Sequence, residues 1–70
     1  MEEPENGTVV AVRWQSGAGF KYVSVYWRDD EKRLDGGVWW VAGDERYSSW
    51  EEVISYAVDI QVLGVVKSND

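Results

Sequence analysis

Hydrophobic and polar residues alternate along two stretches of the chain and recur at helical spacing along a third. From Thr8 to Gln15, Val10, Val12 and Trp14 occupy alternate positions, with Val9, Ala11 and Arg13 between them. A period of two is that of a strand with one buried face. Residues 20–28 repeat the pattern with a denser load of β-branched and aromatic side chains, the composition that strands favour. Val23, Val25 and Trp27 form one set; Phe20, Tyr22, Ser24 and Tyr26 form the other. Ser16-Gly17-Ala18-Gly19 lies between the two stretches. Its glycines supply the positive φ a tight reversal needs, so the pair reads as a hairpin.

Residues 29–37 are a charged loop ending in Gly36-Gly37, and residues 38–42 make a short third strand with bulky groups on both faces. Gly43-Asp44-Glu45 turns the chain into Ser48-Ser49-Trp50-Glu51-Glu52, where either serine has a glutamate three residues on. That is the capping-box signature of a helix start, and the two acids suit the positive end of the helix dipole. Trp50, Val53, Ile54 and Ala57 follow at i, i+3, i+4 and i+7, one apolar stripe on a helix of about two to three turns. Residues 59–67 return to strand, with Ile60, Val62 and Val66 on one face and Leu63 and Val65 on the other.

The order β-β-β-α-β defines an α+β domain: a small antiparallel sheet of about four strands with one short helix on one face. An SH3-like small barrel is the alternative. The domain spans residues 7–67, with disordered polar tails expected at 1–6 and 68–70.

One short helix covers one face of such a sheet. Pairing Val10, Val12 and Trp14 with Val23, Val25, Trp27, Ile60 and Val62 gives the covered face, with Trp50, Val53 and Ile54 pressed onto it. Phe20, Tyr22, Tyr26 and one of Trp39 and Trp40 are then left on the other. A patch of several aromatics is large for a monomer's surface. It calls for barrel closure, a homodimer, or a partner protein docked on Tyr22, Tyr26 and Trp40.

Composition narrows the chemistry. A domain of about 60 residues buries only ~60% of its unfolded surface, and small domains often rely on disulfides or metals. This chain of 70 residues has neither cysteine nor histidine, which removes disulfides and the common zinc sites. Five Trp, four Tyr and one Phe supply large core side chains instead, with Trp14, Trp27 and Trp50 assigned to the core. Thirteen acidic residues against seven basic ones give a net charge of −6, a sign that repels phosphates and anionic lipid. Direct nucleic-acid and membrane binding are therefore not expected. The acidic start Met1-Glu2-Glu3 and the lack of a long apolar run point to a cytoplasmic location.

Nucleophilic catalysis needs an activated side chain beside a base, and without histidine or cysteine no such constellation stands out. An enzyme is not expected, nor a cofactor. Asp29, Asp30, Glu31 and Asp35 do not match a calcium loop, because the twelfth position, where an EF-hand needs glutamate, is Trp40. Gly17-Ala18-Gly19 before Lys21 joins two strands rather than opening a helix, so it is no phosphate cradle. Two acidic clusters remain as partner-binding candidates: Asp29, Asp30 and Glu31 in the loop, and Asp44 and Glu45 with the helix-start glutamates. Together on one side they would form a DNA mimic for a nucleic-acid-binding protein. A nucleotide stacked on Tyr22, Tyr26 and Trp40 is the competing reading.

Residues 38–53 combine a Trp-rich strand, a Gly-Asp turn and a Ser-x-Trp-Glu helix start. In this they resemble small proteins of actinobacterial phages and prophages. The resemblance covers about a third of the chain and carries over no site residue. It implies a protein that binds and blocks host machinery, such as a polymerase, a nuclease or, as an anti-CRISPR, a defence complex.

Overall fold

A computed structural model describes residues 2–19, 21–34, 36–55 and 57–66. The expected hairpin forms from β1 (Thr8–Gln15) and β2 (Lys21–Arg28); β3 (Trp39–Val41), β4 (Tyr47–Ser48), α1 (Trp50–Ser55) and β5 (Ala57–Val65) follow. All five strands join one antiparallel sheet in the order β4-β3-β2-β1-β5. This is the α+β layout expected, with the two-residue β4 added. The sheet is open, with β4 and β5 at its edges, so the barrel alternative is not adopted. Among the described residues no helix is long and apolar enough to cross a membrane.

Register overturns the expected grouping of faces. In the hairpin Val10 lies opposite Tyr26, Val12 opposite Ser24 and Trp14 opposite Tyr22. Directly opposed residues of an antiparallel pair share a face, so Tyr22 and Tyr26 lie on the face of Val10 and Val12, not the opposite one. Ile60 and Val62 do share that face, opposite Val12 and Val10. The other face carries Val9, Ala11 and Arg13 with Trp27, Val25 and Val23, and Trp40, which pairs with Trp27. Phe20 lies outside the described residues.

The core forms where α1 meets the first face. Val10, Val12, Val38, Trp39, Trp50 and Val53 are buried together, with Tyr26, Ile54, Ala57 and Ile60 packed against them. Trp39 is fully buried, its ring centroid 5.0 Å from that of Trp50. Of the tryptophans assigned to the core, Trp50 belongs there. Trp14 is half-buried beside Tyr22, and Trp27 packs edge-on to Trp40 across the sheet, at 6.3 Å.

The helix is shorter than expected. Ser49 rather than Ser48 caps it: its Oγ accepts from the Glu52 amide at 3.2 Å, and its own amide donates to the Glu52 carboxylate at 3.4 Å. The helix has six residues, Trp50–Ser55, and β5 begins at Ala57, so Ala57 is a strand residue rather than the end of the helical stripe. An isolated helix of this length is unstable in water; burial of Trp50 and Val53 holds it.

Residues 2–6, expected as a free tail, lie against the sheet end. The Arg28 guanidinium donates to the Pro4 carbonyl, Trp39 Nε1 donates to Glu3 Oε2 at 2.9 Å, and the Asp30 amide donates to Asn6 Oδ1 at 3.0 Å. The Arg28 and Trp39 donors are partly buried and need partners, and this segment supplies them, with a third acceptor for the exposed Asp30 amide. The tail expected at 68–70 lies outside the described residues.

Gly37 is the most closely approached of the glycines: a Cβ there would collide with the backbone of Ser48 and Ser49. Gly17, in the hairpin turn, has open space around it. Gly37→Ala should therefore lose about 1–3 kcal/mol of stability through overpacking, and Gly17→Ala should stay within about 0.5 kcal/mol of the parent. Chemical denaturation followed by tryptophan fluorescence measures both; equal midpoints for the two variants would contradict the packing of Gly37 on β4.

Candidate functional site

Of the aromatic residues left over by the core, Trp14 and Tyr22 gather beside Tyr26 on the helix face, at the hairpin end of the sheet. Trp14 stacks on its cross-strand partner Tyr22, ring centroids 4.5 Å apart and planes 22° from parallel. The Trp14 indole N–H donates to Ser24 Oγ at 3.1 Å, which fixes the orientation of the ring. Between this pair and α1 lies an open groove of about 450 Å³ lined by Val12, Trp14, Ser24, Tyr26, Glu52 and Val53. Its volume lies in the range of small-ligand sites. An extended side chain of a partner would fit it equally well.

The groove is apolar inside, and Glu52 sets a carboxylate at its rim. Burial, and then the charges of Asp44 and Glu52, raise the Tyr26 pKa above its ordinary value of 10.0. A raised phenol pKa means that the site resists a further negative charge. Glu52 is held in place by Ser49 and by Arg46, whose guanidinium donates to Glu52 Oε2 at 3.3 Å.

The structure disperses the expected site residues. Tyr26 lines the groove, Tyr22 backs its Trp14 wall, and Asp44 contributes to the potential at Tyr26. Trp40 lies on the opposite face, its indole donating to the Asp44 carbonyl at 2.6 Å. A single platform of Tyr22, Tyr26 and Trp40 is therefore not assembled.

The two acidic clusters flank opposite ends of β3, and much of their charge is used locally. Asp30 grips Arg28 at 2.7 and 3.2 Å, Asp29 Oδ1 accepts from the Glu31 amide, and Asp44 Oδ1 accepts from the Arg46 amide. Glu31 and Glu45 are exposed. Asp35 lies outside the described residues, among which no group of three or more acids converges to hold a metal ion. Sequence reasoning missed Trp14 and Glu52 as groove residues. The signal was the hairpin register, which sets Trp14 against Tyr22 rather than Val23.

The far face of the sheet is also apolar in part. Val23 is 65% exposed and Val25 39%. The Trp27 indole N–H is buried beside them without a hydrogen-bond partner among the described residues. No described helix covers this face.

Comparison with protein-family models, with curated proteins and with solved structures yields no match.

The groove's electrostatics are open to direct measurement. Phenolate absorbance on alkaline titration, with Tyr26→Phe as the difference reference, should show Tyr26 ionising above 10.0. Asp44→Asn should lower it towards the ordinary value. Because the folded-state pKa is the higher one, the stabilisation linked to Tyr26 is complete below pH 10 and is lost as pH rises through the folded value. A Tyr26 that titrates normally and ignores Asp44→Asn would remove the negative rim.

Proposed function

We propose that the protein works by binding a partner protein, as an inhibitor or modulator, and that the groove between Trp14 and α1 takes a basic side chain of that partner. One observation carries this reading: the chain's open aromatic groove coincides with negative charge from Glu52 and Asp44, on a protein of net charge −6. An indole wall and carboxylates at the rim suit the alkyl stem and cationic head of lysine or arginine. Surfaces that handle nucleic acid are rich in such residues. The resemblance of residues 38–53 to small phage proteins supports a partner within host machinery.

A nucleotide is the weaker fit. Its base could stack on Tyr22 or Trp14, but its phosphates would meet the acidic rim, where like charges repel.

Tryptophan fluorescence distinguishes the two. Lysine- or arginine-bearing amphipathic peptides should shift the emission, and acidic analogues and cyclic nucleotides should not. Trp14→Ala should weaken peptide binding about tenfold, the scale of a cation–π contact of roughly 1–2 kcal/mol. Trp40→Phe, on the opposite face, should leave it unchanged. Asp44→Lys combined with Glu45→Lys should slow association and flatten its salt dependence, because peripheral charges act on the on-rate. Basic peptides that bind the parent and Trp14→Ala equally would dismiss the groove as the site.

A further inference from the structure

The outer edge of β5 has no strand beside it among the described residues, and it lacks the usual defences of an exposed edge. Natural edges are short, charged or broken by proline. The other edge, β4, meets that rule with two residues. β5 runs for nine, Ala57–Val65, with no proline or lysine and with Asp59 as its one charged residue. Val58, Val62, Leu63 and Val65 along it are 72%, 53%, 54% and 40% exposed. Its pairing with β1 shifts register at Val9/Val10 and at Arg13/Trp14. Such shifts bend a strand and protect an edge locally, but here they flank a regular stretch, residues 59–62, and leave it free to pair.

We propose that β5 pairs antiparallel with β5 of a second copy, making a continuous ten-stranded sheet with both helices on one face. A two-fold axis at Gln61 satisfies the constraints of this edge. It sets Gln61 against Gln61, where two exposed amides can bond to each other. It sets Ile60 of each copy against Val62 of the other, on the face that α1 shares. Val62 is half exposed there although its neighbour across β1–β5, Val10, is fully buried; the second copy supplies the missing cover. The same register places each Asp59 opposite Leu63. The two carboxylates are then four residues apart along the strand, about 14 Å, beyond the screening length of roughly 8–10 Å at ordinary salt. An axis at Asp59 would oppose them directly. With −6 on each copy, salt should strengthen this association, whereas it should weaken capture of a basic segment in the groove.

Sedimentation equilibrium on the intact chain over a concentration series tests the proposal. The expected mass rises from 8.0 kDa towards twice that value, more readily at high salt. Gln61 is exposed, so Gln61→Lys keeps the fold, checked by circular dichroism, and sets like charges face to face; it should stay monomeric. The natural chain has no cysteine, so Gln61→Cys under mild oxidation should give a covalent dimer, and Gln15→Cys, at the hairpin tip, should not. A monomer at every concentration overturns the proposal. So does a dimer that persists in Gln61→Lys, which would place the contact on another surface, such as the Val23 and Trp27 face. Peptide binding by Gln61→Lys should match the parent, so the groove and the edge stand or fall separately.

Discussion

The contact between Trp39 and Trp50 ties the helix to the sheet, and most of the architecture follows from it. A six-residue helix does not persist alone. It holds because Trp50 packs on a fully buried indole of β3 and Val53 joins Val10 and Val12 of β1 in the same buried cluster. Trp39 is itself anchored through its indole N–H to Glu3, so the N-terminal segment, β3 and α1 form one unit. Losing the Trp39 ring would cost about 3–5 kcal/mol, a large share of what a domain this small has to spare.

Element types were largely legible in the chain; the faces were not. The alternation in β1 and β2 and the capping box before α1 are strong local signals, and each element stands where they point. Which residues of one strand oppose which of the next depends on the parity of the loop between them. Gln15 pairs with Lys21, so even-numbered residues of β1 face even-numbered residues of β2. A loop one residue longer or shorter would have put Val23, Val25 and Trp27 beside Val12. Two glycines in the turn allow either length, and nothing local decides between them. The groove was hidden for the same reason, since Trp14 and Tyr26 share a face only in the register that forms. β4 was illegible because two residues carry no period.

The acidic residues show how a cysteine-free chain uses charge. Arg28 gathers Asp30, Glu3 and the Pro4 carbonyl around one guanidinium, and its own pKa is raised, chiefly by the hydrogen bond to Asp30. Exposed ion pairs are worth little singly. This group joins the N-terminal segment to the loop after β2, where a bidentate arginine sets geometry as well as charge. Residues that look from the sequence like a free negative surface are in part local staples. Asp44 and Glu52 are bound locally too, yet their charge reaches the Tyr26 hydroxyl, so the groove has a sign.

The groove's openness is a consequence of helix length. Ser49 fixes the first turn through Glu52, and Ala57 must already be in β5 to meet Trp14. The helix therefore cannot lengthen without taking residues from the strand. Two further turns would draw Ile60 and Val62 themselves out of β5. Stopping after Ser55, the helix leaves an aromatic hollow at the hairpin end and an aliphatic margin along β5. Both open features come from one constraint on the path of the chain.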